Sequence, residues 1–153
     1  MTAIALICSA NRCRSIMAHA ILLAEARKRS LRIDVYSAGT IDFSDQPPLI
    51  ETSRTCLHYH TPAPKSTPTW VAQLPLASID RFLVMEHNHA EALRTKFAID
   101  ADRISLLGEF DPLRRGAEIA DPFFTYSEEC YRASYELIRD CLIGYLDSAD
   151  EQL

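Results

Sequence analysis

No stretch of this 153-residue chain approaches the roughly 18 consecutive apolar residues that mark a membrane-spanning helix. The first residues also lack the basic cluster that opens a secretory signal peptide, so none is expected. Cysteine is neither abundant nor paired. The five cysteines are odd in number and scattered, with no Cys-x-x-Cys spacing, which argues against a disulfide framework and against a zinc site. No metal-ligand cluster stands out either, so no metal and no cofactor is expected. Basic charge is in deficit: the formal net charge is −5, which excludes wholesale binding to nucleic acid or to an acidic membrane. Any anionic ligand must be held by a local basic pocket. Internal repeats and low-complexity segments are absent as well. These exclusions leave one domain over residues 1–153 with a single sizeable core, expected in a reducing cytoplasm.

Within that frame one stretch stands out, Cys8-Ser9-Ala10-Asn11-Arg12-Cys13-Arg14-Ser15. The apolar run Ala3-Ile4-Ala5-Leu6-Ile7 leads into it and a helix-like segment leads out, which predicts strand, tight loop and helix. The five residues between Cys8 and Arg14 suffice to curl a backbone around one tetrahedral anion. Their amide N–H groups, with the unpaired donors of the helix N-terminus, would face it. Arg14 would close the ring with a planar fork matched to phosphate oxygens. Cys8 would lie at the floor as a thiolate favoured by those donors and by Arg14. Chance gives about 0.4 Cys-x5-Arg matches in such a composition, and about 0.06 once Ser or Thr must follow, so the spacing needs its strand–helix context. The bland alternative, a buried core thiol, does not explain two neighbouring arginines.

Strands are expected at 3–8, 32–37, 81–85 and 103–107, each ending near a turn signal. Helices are expected at 15–29, from the Asp45-Gln46-Pro47-Pro48 start signal through His60, at about 87–97, and from a Ser127 cap onward. On the second of these, Leu49, Ser53, Cys56 and His60 recur at helical spacing. On the last, Tyr131, Tyr135, Ile138, Leu142 and Tyr145 form the buried face. Residues 108–126 form a long connection with two Asp-Pro pairs. Alternating strands and helices imply an α/β fold, a parallel sheet with helices on both faces and ligands at the strands' C-terminal ends. Cys8 sits at such an end.

These residues resemble the low-molecular-weight protein tyrosine phosphatases nearly end to end. The family loop, Cys-x-Gly-Asn-x-Cys-Arg-Ser-Pro, stands here as Cys8 to Ile16, and Ser37-Ala38-Gly39-Thr40, Cys56-Leu57-His58-Tyr59-His60 and Asp121-Pro122-Phe123-Phe124 match further family segments. The resemblance implies a four-stranded parallel sheet. It also implies hydrolysis of phosphotyrosine, on a protein or a small phosphate monoester, through a phosphocysteine intermediate, by a monomer or weak dimer. Ala10 replaces the family's glycine, which adds strain only if that position has positive φ. Ile16 replaces a proline of the first helical turn.

By the same resemblance Asp121 is the general acid, and Asp111-Pro112 is a decoy of equal composition. Ser15 would donate to the Cys8 sulfur. Asn11 would adopt a left-handed conformation and tie the loop to Ser37 and to a buried His60. Ser9, Ala10 and Arg12 would line the phosphate loop, with Arg12 at the pocket mouth. Cys13 would either pair reversibly with Cys8 on oxidation or simply support the loop. Phe43, Phe123 and Phe124 would form an aromatic rim. His19, His58, His87 and His89 are expected at the surface.

Three other functions compete. Arsenate reduction on a related fold uses two further mid-chain cysteines, which residues 70–110 lack. A non-catalytic phosphate-binding module does not need the full set of Cys8, Arg14 and Asp121. Phosphoarginine hydrolysis occurs in relatives that carry a small residue where Arg12 stands.

Overall fold

The computed structural model describes residues 1–47, 49–65, 67–125 and 127–151, without the side chains of Asp150 and Glu151. Pro48, part of the expected helix-start signal, lies outside the described residues. The elements in chain order are β1 (Thr2–Cys8), α1 (Arg14–Lys28), β2 (Ile33–Gly39), α2 (Ile50–His58), β3 (Arg81–Val84), α3 (His87–Lys96), β4 (Ile104–Leu106) and α4 (Glu128–Glu151). The strands form one parallel sheet in the order β2-β1-β3-β4. All four expected strands and helices are present, with ends shifted by a few residues.

Strand alternation divides the core in two. Ile4, Leu6, Cys8, Leu83 and Met85 face one side, where Met17, Ile21 and Leu22 of α1 and Tyr131, Tyr135 and Ile138 of α4 pack on them. Ala5, Ile7, Phe82 and Val84 face the other, under Val71, Ile79, Leu93 of α3 and Ile99. A period of two thus serves both faces, as a sheet covered on both sides requires. Leu6 and Leu83 have no exposed surface, and each such side chain contributes about 1.5–3 kcal/mol of burial.

β1 is central, with β2 and β3 on its two sides, so the chain changes direction along the sheet at β1. A crevice forms outside the strand ends at such a switch point. The C-terminus of β1, at Cys8, opens into it. Gly39, paired with Cys8 across β1 and β2, is a glycine for steric reasons. A Cβ there would lie 2.5 Å from the Ser9 carbonyl oxygen and 2.7 Å from the Ala10 carbonyl carbon.

One boundary departs from expectation with a consequence for the site. α2 ends at His58, not His60, because Thr61 N–H donates to Cys56 O and His60 N–H to Leu57 O, at 3.0 Å each. This is the Schellman closure, and it places His60 in the left-handed region at φ 60°. His60 therefore leaves the helical face that carries Cys56, and is exposed. The same closure ends α1, with Ser30 at φ 55°. Ser127 caps α4 as expected, its Oγ accepting from Cys130 N–H at 3.3 Å.

Candidate active site

Between β1 and α1 the chain bends through Ser9–Cys13, with Asn11 at φ 55°, a conformation asparagine tolerates. Ala10 has no positive φ, so its methyl adds no backbone strain. The carbonyls turn outward: Cys8 O and Ser9 O accept from Thr40 N–H and Ile41 N–H at 3.0 Å each, and Arg12 O accepts from Thr52 Oγ1 at 2.7 Å. A trans peptide sets each N–H opposite the preceding C=O. The amides of Ser9, Ala10 and Cys13 therefore point away from those partners, toward the inside of the bend. Asn11 N–H does face inward, 3.3 Å from Cys8 Sγ. The concave side of the loop is rich in donors.

A relay fixes the proton beside the sulfur. Thr69 N–H donates to Asn11 Oδ1 at 2.8 Å, which orients the amide so that Nδ2 donates to Ser15 Oγ at 2.7 Å. Ser15 Oγ lies 2.9 Å from Cys8 Sγ. Having accepted from Asn11, it has its own proton to give to the sulfur. Cys8 is thus buried with two donors directed at Sγ, an arrangement suited to a thiolate.

Arg14, 2% exposed, crosses under the loop. Its Nη1 donates to Glu86 Oε2 at 2.5 Å and to Ile119 O at 2.6 Å, and its Nη2 is 3.6 Å from Asp121 Oδ2. Burial disfavours the Arg14 cation, but Cys8, Glu86 and Asp121 outweigh it and raise its pKa. Asp121 accepts from Phe123 N–H on Oδ1 at 3.0 Å, which leaves Oδ2 nearest the guanidinium. Asp111, of the other Asp-Pro pair, is buried outside this cavity and accepts from Leu113 N–H at 2.9 Å. Cys13 is also buried, and burial first, then Asp121 and Cys8, push its thiol well up. It is a neutral thiol, and both cysteines are free.

A cavity of about 320 Å³ brings Cys8, Ser9, Ala10, Arg12, Cys13, Arg14, Phe43, Asp121, Phe123 and Phe124 to one lining, with Ile41 and Leu49 added. Phe123 and Phe124 meet edge to face at 5.1 Å, and Phe124 is 75% exposed at the mouth. Arg12 Nε donates to Pro47 O at 2.9 Å, which holds the guanidinium at the rim.

Ser37 and His60 depart from their expected partnership with Asn11, which bonds Thr69 and Ser15 instead. Ser37 Oγ bonds His19 Nδ1 at 2.8 Å, and Ser37 O accepts from Lys65 Nζ at 2.7 Å. The histidine tied to Ser37 is therefore His19, because the closure of α2 turns His60 out to solvent. Contrary to expectation His89 is buried and His19 is half-buried; His58 and His87 lie at the surface as expected. Sequence reading also missed Glu86, His89, Lys65 and Thr69. Glu86 had a signal, an acid at the C-terminal end of a buried parallel strand. Lys65 had none, being a lone lysine in a proline-rich loop. Burial lowers its pKa to about 8, while Cys8 opposes the shift.

Burial first, then Lys65, lowers His19 to about 4; burial first, then Arg14, lowers His89 to about 4, against Glu118. Between about 4 and the unfolded value of roughly 6.5, the unfolded chain binds more protons at both rings. Their stability contribution is fully present above that window and falls as pH drops through it. Urea midpoints should therefore decline from pH 7 to pH 4.5, and less steeply in His19→Asn. An equally steep decline in that variant excludes His19 as a source.

The family profile for low molecular weight phosphotyrosine protein phosphatase matches residues 3–153. The low molecular weight protein-tyrosine phosphatase A of Mycobacterium tuberculosis is 29% identical over 152 residues, covering 96% of this chain and 91% of that protein. The protein-arginine-phosphatase of Bacillus subtilis is 26% identical over 117 residues, covering 76% and 77%. A crystal structure of low molecular weight phosphotyrosine phosphatase from Vibrio cholerae superposes with a TM-score of 0.84 at 25% identity, over 99% of each chain. That of a YwlE mutant from Bacillus subtilis gives 0.86 at 22% identity, over 98% of this chain and 99% of that one, a likeness of fold. With its profile match running from the first strand to the C-terminus, the chain belongs to the low molecular weight phosphotyrosine protein phosphatase family.

Proposed function

We propose that this phosphatase acts on phosphotyrosine in proteins, with Cys8 as nucleophile, Arg14 as phosphate clamp and Asp121 as general acid. The observation that carries the reading is the meeting of these three side chains in one cavity rimmed by Phe43, Phe123 and Phe124. Cys8 Sγ attacks phosphorus in line, opposite the phenolic oxygen. The inward amides and Arg14 bind the non-bridging oxygens as charge builds in the transition state. Asp121 protonates the departing phenolate and then takes a proton from the water that cleaves the phosphocysteine. Ser15, loaded by Asn11, stabilises the thiolate both as nucleophile and as the group expelled in the second step.

The choice between phosphotyrosine and phosphoarginine turns on Arg12. The Bacillus subtilis relative is, by name, a protein-arginine-phosphatase, so the scaffold alone does not select. Arg12 lines this cavity and is held at its mouth by Pro47 O. A guanidinium beside it meets a like charge costing on the order of 1–4 kcal/mol at intermediate dielectric. A phenol ring carries no such charge and stacks on the arginine plane. Kinetics on matched peptides test this. Wild type should prefer phosphotyrosine, and Arg12→Thr should narrow the gap by about tenfold, the equivalent of about 1.4 kcal/mol. Better turnover of phosphoarginine by wild type overturns the assignment.

A further inference from the structure

His89, 1% exposed, lies in the first turn of α3, three residues after Glu86. Its two ring nitrogens reach two parts of the site's frame. Nδ1 is 3.1 Å from Glu86 N, and Nε2 is 2.9 Å from Ser9 Oγ. A backbone N–H can only donate, so Nδ1 must be the unprotonated nitrogen. The neutral ring then carries its proton on Nε2 and gives it to Ser9 Oγ. With one lone pair filled in this way, Ser9 keeps its own hydroxyl proton to donate, and Ser9 lines the cavity beside Cys8. At the other side of the ring, Glu86 is the carboxylate bonded to Arg14. One imidazole therefore joins the residue after the nucleophile to the partner of the phosphate clamp.

We propose that His89 is a positioning residue: as a neutral Nε2–H imidazole it fixes the Ser9 hydroxyl as a donor into the phosphate cavity and steadies Glu86 against Arg14. A second proton on the ring would displace the Glu86 amide and undo this. Burial and Arg14 disfavour that proton; Glu118 and the Glu86 carboxylate, 3.9 Å from Nε2, favour it. The first pair prevails and lowers the ring to about 4, so the neutral form dominates above that pH. The proposal deepens the phosphatase reading and rests on it.

Two measurements test it. In wild type, the imidazole nitrogen-15 signals of His89 should show a proton on Nε2 and none on Nδ1 from pH 5 to 8. Ser9→Ala and His89→Asn, which lack one or other end of the Ser9 bond, should each raise the inhibition constant of inorganic phosphate on the order of tenfold. The double variant should be no worse than the worse single, because both remove one bond. His89→Gln, which offers an N–H near the place of Nε2, should recover most of the loss. A protonated ring or an Nδ1–H tautomer at pH 6 overturns the proposal. So does unchanged phosphate inhibition in Ser9→Ala, a reading that holds even if the His89 variants fail to fold. Wild type that neither hydrolyses p-nitrophenyl phosphate nor binds phosphate overturns the phosphatase reading instead, and the ring's tautomer still decides the role of His89.

Discussion

Cys8→Ser should lower kcat on p-nitrophenyl phosphate roughly 10⁴-fold or more, the scale of loss when a catalytic nucleophile is removed. Asn11 N–H at 3.3 Å and Ser15 Oγ at 2.9 Å are directed at Sγ, as a sulfur nucleophile requires. A serine hydroxyl has no comparable tendency to ionise, so the same donors would find a neutral oxygen. The substitution is small, at a buried strand end, and should leave the thermal midpoint within a few degrees of wild type. Cys130→Ser, on α4 and away from the cavity, should change nothing. Arg14→Lys should cost about 10²–10³-fold in kcat, as when one preorganised oxyanion donor is lost. A lysine cannot reproduce the fork that meets Glu86, Ile119 O and the phosphate together. Chelators should have no effect on wild type. Full activity in Cys8→Ser, or activity lost to a chelator and restored by a divalent ion, defeats the mechanism.

The second large effect is expected at Asp121. Asp121→Asn should slow turnover by about 10²–10⁴-fold on alkyl and unactivated aryl phosphates, the usual range for a general acid. On p-nitrophenyl phosphate, whose leaving group needs little protonation, the loss should be much smaller. Oδ1 accepts the Phe123 amide at 3.0 Å, and asparagine can keep that bond through its carbonyl oxygen. The loop should therefore hold its shape while the acidic proton is gone. Asp111→Asn should leave kcat unchanged, because Asp111 sits against Leu113 N–H away from the cavity. A steep dependence of log kcat on leaving-group basicity in the variant, against a flat one in wild type, is the signature. If Asp111→Asn shows the larger defect, the acid is misassigned.

Much of this was legible in the residues alone. The apolar run before the Cys8 loop marked a parallel strand, because a strand buried on both faces reads as a continuous hydrophobic stretch, and the alternation over 32–37 before Gly39 marked a second. Cys8, Arg14 and Ser15 were legible as a group because one loop carries all three. Local spacing there determines spatial proximity. Asp121 was legible only through family resemblance, since its proximity to Arg14 spans 107 positions and no periodicity encodes it.

The failures have the same origin. His60 was expected on the face of Cys56 because helical spacing says so, but the backbone closure at Thr61 and His60 ends α2 early. Nothing in the side-chain pattern announces a non-glycine residue at positive φ. His89, which is buried, and His19, which is half-buried, were expected at the surface because a lone histidine carries no local sign of its partners. Those partners, Ser37 and Ser9, come from other strands and loops.

The sequence by itself determined the sheet, the order of its elements and the Cys8–Arg14 loop, all of which depend on interactions between near neighbours along the chain. Only the tertiary structure decided how that loop is held. Glu86 from just past β3, Thr69 from a proline-rich segment and the buried imidazole of His89 converge on it from across the fold, while Lys65 and His19 brace the neighbouring Ser37. A hydrogen bond constrains atoms within about 3 Å whatever their separation in sequence, so its partners become readable only once the chain has closed.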